Sequence, residues 1–492
     1  MAVVRPASTE QVQRIVDFAR ERGLALHPIS RGCNWGYGDA RAPTAGQVIL
    51  DLSRMNRIVE LNRRLGYVVI EAGVTQGQLW EHLQTHAPQL WMDSTGAGPD
   101  ASLVGNALDR GFGHTRYGDH TLTACGMEIV LADGRVLNTG YGHYDDAVAH
   151  RVYRYGVGPS LDGLFAQSNV GIVTRIGLWL TPVPEAFSAF FFSSPDAEAL
   201  EDLIERLAPL RMNGLLQSAI HIGNDLRLLS ARTRYPWDRA AGRTPLPDEL
   251  RRELCAEFRI DAWTGCGTVT GTPAIVRATV RAVRRALKPH RVVFINDRRI
   301  ALAHRVAGAL DRFGAGARLR QQLATVDPLY RLLKGEPTRE SLYGTLWRVR
   351  GELPGPVTNP LDAHAGIMWS SPVLPMTGSD ARRLLSLIEP IYARHGFEAM
   401  VTFTMISERA MIAVTNLYFD TRESDEAQRA AACYDELGQT LMDHGYVPYR
   451  VGPSGTDRLR RGSAVFWDVV AQLKQTLDPH GVISPGRYEP RP

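Results

Sequence analysis

Cysteine is scarce in this 492-residue chain, with five residues at positions 33, 125, 255, 266 and 433. The number is odd and no pair stands at CxxC spacing, which argues against a disulfide framework or a zinc site and fits a reducing cytoplasm. Long apolar runs are missing as well. Nothing approaches the ~18 consecutive apolar residues of a membrane span, and the opening "MAVVRPASTEQ" lacks the apolar segment of a signal peptide. Neither sign of charge is in excess: 56 basic residues face 52 acidic ones, net +4. The densest basic stretch, Arg277 to Arg285, falls on one face of a predicted helix and reads as solvated surface, so no nucleic-acid partner is expected. Other chemistries lack their motifs. There is no GxGxxG following a first strand, no Walker lysine loop and no GxSxG nucleophile elbow. The histidines form neither HExxH nor HxH, and His114 and His120, six apart in a loop, make a poor ligand pair, so no metal is expected.

What the chain does have is two glycine-rich turns. "SRGCNWGYG" spans Ser30 to Gly38, and "VGNALDRGFGHTRYGDH" spans Val104 to His120. Glycine lets backbone adopt φ > 0 and approach a ligand closely, and successive N–H groups in such turns make anion-binding concavities. Two such loops within ~120 residues suggest a long, doubly charged ligand, with a dinucleotide diphosphate leading. Cys33, inside the first loop, reads as a small residue packed under that ligand. Asp109, in the second, is a carboxylate placed where chemistry is expected.

The length predicts two or three domains, and 44% hydrophobic with 22% charged content is ordinary for a globular protein. A strand "VVRP" leads to a helix in which Ser8 and Gln11 form a capping box. Val12, Ile15, Val16 and Ala19 supply its apolar stripe, and Gly23 closes it. Short strands follow at Leu24–Ile29, Val48–Leu52 and Tyr67–Glu71. Asp133-Gly134 turns a hairpin over Val130–Leu137, and Ile172–Leu180 is a further strand. To about Pro184 this is an α+β unit holding both loops. Beyond "TPVPEAF", strands at Ala186–Phe192, near Ser218, near Thr268 and over "RVVFI" alternate with helices at Leu200–Leu207 and Ala274–Leu287. A second half repeats the theme: strands Gly366–Val373, Ala399–Met405 and Met411–Tyr418, helices Asp380–Arg394 and Glu423–Gly445. The two halves predict one large antiparallel sheet with helices on one face. Asp311–Ala363 reads as irregular and lid-like, and the closing segment returns to the first domain. The expected division is 1–185, 186–444 and 445–492.

Five stretches, in order from Val3 to Gly486, carry a resemblance: "HPISRGCNWGYG", "YVVIEAGVTQGQLW", "LVGNALDRGFGHTRYGDH", "GPSLDGLFAQSNVGIVT" and "LDPHGVISPGR". The chain resembles the vanillyl-alcohol oxidase and p-cresol methylhydroxylase family of FAD enzymes, in its 4-alkylphenol oxidase branch. That resemblance implies an α+β FAD-binding domain built from both chain ends and a cap domain with a large antiparallel sheet. It places Pro28, Ser30, Arg31, Gly32, Cys33, Asn34 and Trp35 on the FAD diphosphate. Thr95, Gly98, Ser102, Gly105, Asn106 and Gly113 follow in the second loop, with Gly171, Ile172 and Arg487 from the later stretches. Asp109 matches the acid beside flavin N5, and Tyr449 with Arg450 the pair that binds the substrate phenolate.

The implied chemistry is hydride removal from the benzylic carbon of a para-substituted phenol, giving a p-quinone methide, in natural-product tailoring among other settings. A phenol ionises near pH ~10, and lowering that by ~3 units takes about 4 kcal/mol, within reach of a guanidinium and hydroxyl donors. Three departures from the family pattern qualify the reading. Trp80 stands where the family's other phenolate tyrosine was placed. His114 and Arg116 replace the residues of "GYTPYG", as though a substrate carboxylate were met there. Ile367 occupies the position of the histidine that links FAD covalently in many relatives, and His364 is out of phase with it on the strand, so non-covalent FAD is expected. The carboxylate departure points to an alternative outcome, oxidative decarboxylation of a tyrosine-like phenolic acid to a hydroxystyryl product. Oxidation of a non-phenolic alcohol or hydroxy acid, and FAD binding without turnover, stay open. The chain lacks the segment that precedes the first strand in relatives, so either the start lies upstream or a dimer-wrapping helix is absent. A homodimer is the assembly the resemblance allows.

Overall fold

In the computed structural model, which describes residues 2–311, 316–353 and 355–489, the opening segments fold as their periodicity requires. Helix Thr9–Glu21 begins at Ser8, whose hydroxyl accepts from the Gln11 N–H, and the Gln11 side chain accepts from the Ala7 N–H. Val12, Val16 and Ala19 are buried. The helix lies by a small parallel sheet ordered Val3–Val4, Val48–Asp51, Leu26–Ile29. A five-stranded antiparallel sheet adjoins it, ordered Ile58–Asn62, Tyr67–Glu71, Ile172–Trp179, Ala124–Val130, Val136–Asn138. All five residues of Tyr67–Glu71 are buried, as a strand covered on both faces should be. One apolar core runs from Val12 to Leu180 and takes in Val482 and Ile483 near the chain's end.

A second core spans Phe190 to Tyr446 and sits on an eight-stranded antiparallel sheet. Its order is Arg291–Ile295, Ala186–Ser194, Trp263–Gly271, Ile220–Asn224, Met400–Met405, Ala410–Asp420, Ala365–Ser370, with Val373–Pro375 also paired to Ala410–Asp420. Phe190 and Phe192, Ile220 and Ile222, Val401, Phe403 and Met405 point at every second residue into the core. There they meet helices Leu200–Met212, Pro273–Ala286, Gly378–Arg394 and Ser424–Asp443. The opposite phase of the same strands faces the first half: Ile367, Met400 and Tyr418 pack with Trp35 in a separate apolar cluster.

The expectation that 311–363 is irregular is corrected. Ala317–Leu332 is a helix and Glu340–Leu346 a 3-10 turn, while 312–315 and 354 lie outside the described residues. Pro328 inside the helix obscures its pattern, yet Leu323, Tyr330, Leu332 and Leu333 are buried. Helix Ala464–Leu477, unforeseen in the sequence, precedes the return to the first half. There Ile483 bridges Leu26, and buried Lys474 donates to the carbonyls of Asn169 and Ile483. Among the described residues no helix is long and apolar enough to cross a membrane.

Candidate active site

The strand Leu26–Ile29 runs directly into the first glycine loop, in which Gly32 and Gly36 have φ of +70° and +76°. Gly36 has no alternative: a Cβ there would lie 2.1 Å from Cδ1 of Trp369 on the facing sheet. Among the described residues the N–H groups of Gly32, Cys33, Asn34 and Trp35 find no acceptor, leaving four consecutive donors for a ligand. The second loop is held against the first. Ser102 caps helix Leu103–Leu108 by accepting from Gly105 N–H, and a Cβ on Gly105 would come within 3.0 Å of the Ser30 hydroxyl. Buried Gln76 staples the Thr95–Gly98 turn, accepting from Thr95 N–H at 2.7 Å and donating to the Gly98 carbonyl at 2.7 Å. Both loops wall a cavity of about 390 Å³, within the usual range of small-molecule sites.

Asp109 closes the short helix, and three side chains from two distant chain regions converge on its carboxylate. Asn34 donates at 2.8 Å, Arg487 at 3.0 and 3.2 Å, and the Tyr488 hydroxyl at 3.2 Å. Burial pushes its pKa up, but Arg487 and Arg450 outweigh burial and hold the carboxyl below its ordinary value. It is a carboxylate at neutral pH. Tyr449 and Arg450 line the same cavity. The Arg450 guanidinium lies 4.0 Å over the Tyr37 ring and 5.2 Å over the Tyr449 ring, and its Nε is buried with no acceptor. Tyr37 donates to or accepts from Ser371 Oγ at 2.8 Å. Burial pushes the Tyr449 phenol well up despite Arg450, so it is protonated and able to donate. Gln167, in the left-handed region at φ +50°, joins the two ends: its Nε2 donates to the carbonyls of Tyr449 (2.8 Å) and Asp109 (3.3 Å).

Asp109, Tyr449 and Arg450 thus share one cavity with Pro28, Ser30, Arg31, Gly32, Cys33, Asn34, Trp35, Thr95, Ser102, Gly105, Asn106, Gly171, Ile172 and Arg487. Gly98 and Gly113 stand behind its wall. Gly113 is small because a Cβ would lie 1.9 Å from Asp93 Oδ2, itself bonded to His120. The Cys33 thiol lines the cavity with its pKa pushed up to about 11 by burial, a neutral packing group.

The three residues assigned to substrate, Trp80, His114 and Arg116, do not line this cavity. Trp80 packs on the first core from helix Gln76–His86, outside the cavity. Arg116 is exposed, 5.3 Å over the Tyr117 ring. His114 turns to His221 on the cap-side sheet, Nδ1 to Nε2 at 2.8 Å, with its pKa pulled down to about 4 by burial, so it adds no cation. The tyrosine that completes the group is Tyr37, in the first loop, which the sequence reading passed over. Tyr488, Gln167, Trp369 and Arg227 also line the cavity unforeseen. Ile367 is buried and offers no nitrogen; His364 is exposed at the end of a 3-10 turn.

Unpaired amides over a glycine turn, and a buried acid that shares one cavity with a tyrosine-arginine group, fit the class the comparisons give: an FAD-dependent oxidoreductase. The FAD binding domain family matches residues 1–140. The chain is 36% identical over 492 residues to 1'-carboxy-chondrochloren decarboxylase of Chondromyces crocatus, covering 99% of this chain and 90% of that one. It is 29% identical to the flavoprotein subunit of 4-cresol dehydrogenase (hydroxylating) of Pseudomonas putida, over 99% and 87% of the two chains. Its fold matches 4-ethylphenol oxidase from Gulosibacter chungangensis, solved with isoeugenol, with a TM-score of 0.87 at 29% identity over 100% and 89% of the chains. The chain belongs to the vanillyl-alcohol oxidase and p-cresol methylhydroxylase family.

Proposed function

We propose that the protein oxidises the benzylic carbon of a para-substituted phenol, with FAD held non-covalently between the two glycine loops. Residues 1–185 and 445–492 form the FAD-binding part in this reading, and 186–444 the cap. When bound, FAD supplies the two-electron acceptor for the hydride leaving the substrate. The chain's own groups do the rest. Arg450 and the hydroxyls of Tyr37 and Tyr449 surround one point with a positive charge and two donors, which favours a phenolate over a phenol. Ring electrons are then free to expel the benzylic hydride and form a quinone methide. Asp109, ionised and held by Asn34, Arg487 and Tyr488, accepts a proton from water or substrate at the other end. The observation that carries the reading is the unpartnered, buried Nε of Arg450 beside two tyrosines.

A second outcome has its own support, since the 36% identical relative is named a decarboxylase. A quinone methide with a carboxylate on the neighbouring carbon loses CO₂; the electron pair of the broken C–C bond forms the styryl double bond and restores the aromatic ring. The test is anaerobic mixing of the holoprotein with 4-alkylphenols and with an N-acyl tyrosine, following flavin bleaching and trapped CO₂. Bleaching by both with CO₂ from the acid supports decarboxylation. Bleaching by alkylphenols alone leaves simple benzylic oxidation, and bleaching by neither refutes the proposal.

A further inference from the structure

The cavity holds more positive charge than the phenolate reading uses. Arg487 is paired with Asp109 and Arg450 faces the tyrosines, but Arg227 reaches the cavity from the cap side. It sits on the short helix Asp225–Ser230 that follows strand Ile220–Asn224. Its Nη1 donates to Ser230 Oγ at 3.1 Å, and among the described residues no carboxylate pairs with it. The nearby acid Asp225 is already taken, bonded by Arg251 at 2.8 and 2.6 Å. The guanidinium lies close against Gly344, where a Cβ would come within 2.7 Å of Nη1 and would push the side chain aside. The same turn carries Ser341, whose hydroxyl donates to the Gly96 carbonyl at 2.5 Å and ties this corner to the Thr95–Gly98 turn. Arg31 of the first loop lines the same cavity and also pairs with no carboxylate among the described residues. A partly buried guanidinium with free donors is a receptor waiting for an anionic oxygen group.

We propose that Arg227 is a specificity-determining cation of this site, binding an anionic oxygen group inside the cavity: the FAD diphosphate or the carboxylate of a phenolic acid. The proposal deepens the phenol-oxidation reading through its carboxylate arm, while its diphosphate arm is independent of any substrate.

Apo-protein carrying Arg227→Gln is titrated with FAD and, in parallel, with riboflavin, which has the ring system without phosphate. Reconstituted holoprotein is then assayed with a 4-alkylphenol and with its carboxylated counterpart. A charge-assisted fork is worth at least tenfold in affinity. The diphosphate assignment predicts FAD affinity falling tenfold or more with riboflavin unchanged. The carboxylate assignment predicts unchanged FAD affinity and a tenfold rise in KM for the acid alone. FAD affinity and both KM values within twofold of the parent overturn the proposal, as does an equal loss for FAD and riboflavin. Should the glutamine variant not fold, Arg227→Lys carries the same comparison, with a partial loss on the same arm expected. A loss of FAD affinity in the variant with riboflavin unchanged, together with no bleaching of the parent holoprotein by any phenol, would reject phenol oxidation and leave Arg227's role standing.

Discussion

Replacing Arg450 by methionine removes the guanidinium while keeping an unbranched chain that fills the space of the arginine's aliphatic stem. Its Cζ lies 4.0 Å from the centre of the Tyr37 ring, and a direct ion pair with a bound phenolate oxygen would set the two charges about 4 Å apart. Two unit charges at ~4 Å interact by about 4 kcal/mol at an effective dielectric constant near ~20. Divided by about 1.4 kcal/mol per pKa unit, that is a shift of about 3 units. The bound phenol, ionising near neutrality in the parent, should therefore ionise near pH ~10 in Arg450→Met. Anaerobic stopped-flow reduction followed from pH 6 to 10 reads this directly. At pH 7 the variant should reduce its flavin about 10³-fold more slowly, and its rate should climb with pH where the parent's has levelled. Arg450→Lys should recover part of the loss, since it restores charge without the fork. Tyr37→Phe should slow reduction less than the arginine change, because it removes one donor and no charge. A pH profile in Arg450→Met that overlays the parent's would refute the reasoning and leave Arg450 a packing residue.

Four further outcomes follow from the same geometry. Asp109→Ala should keep FAD bound but slow its reduction by about 10²-fold. In the parent, the stabilisation from the lowered Asp109 pKa should be present above the ordinary carboxylate value and lost as pH falls through the folded one, which thermal melts against pH would show. Acid precipitation should release all flavin into the supernatant, because Ile367 offers no nucleophile; colour in the pellet would show a covalent link elsewhere. His114, neutral and bonded to His221, has a folded pKa of about 4 against an ordinary 6.5, so the unfolded chain binds more protons between those values. Stability should be full above pH 6.5 and decline toward pH 4, and His114→Asn should flatten that decline.

Much of this was legible in the residues. Period-two apolar runs such as Phe190 with Phe192 and Val401 with Phe403 set one face of the large sheet, and the Ser8–Gln11 pair set the first cap. Glycines that must take φ > 0 marked the loops. Trp80 and Tyr37 show what was not legible. Both are aromatic residues near glycines and strands, but only three-dimensional placement separates a side chain packed on a core from one facing Arg450. Arg116 and His114 looked like neighbours of Asp109 along the chain. The turn at Gly113 sends one to solvent and the other toward a strand more than 100 residues on. Tyr488 and Gln167 reach the site through the return of the chain's end and a strained left-handed residue, neither of which leaves a periodic signal.

The central claim, that oxidation proceeds from a phenolate held by Tyr37, Tyr449 and Arg450, is tested most directly by one matched pair of compounds. 4-Ethylphenol and its O-methyl ether share a benzylic carbon, and only the first can ionise. Mixed anaerobically with the holoprotein at pH 7.5, the phenol should bleach the flavin within a few turnovers' time while the ether leaves the spectrum unchanged over hours. Equal bleaching by both, or an inert phenol beside a rapidly oxidised aliphatic hydroxy acid, would contradict it.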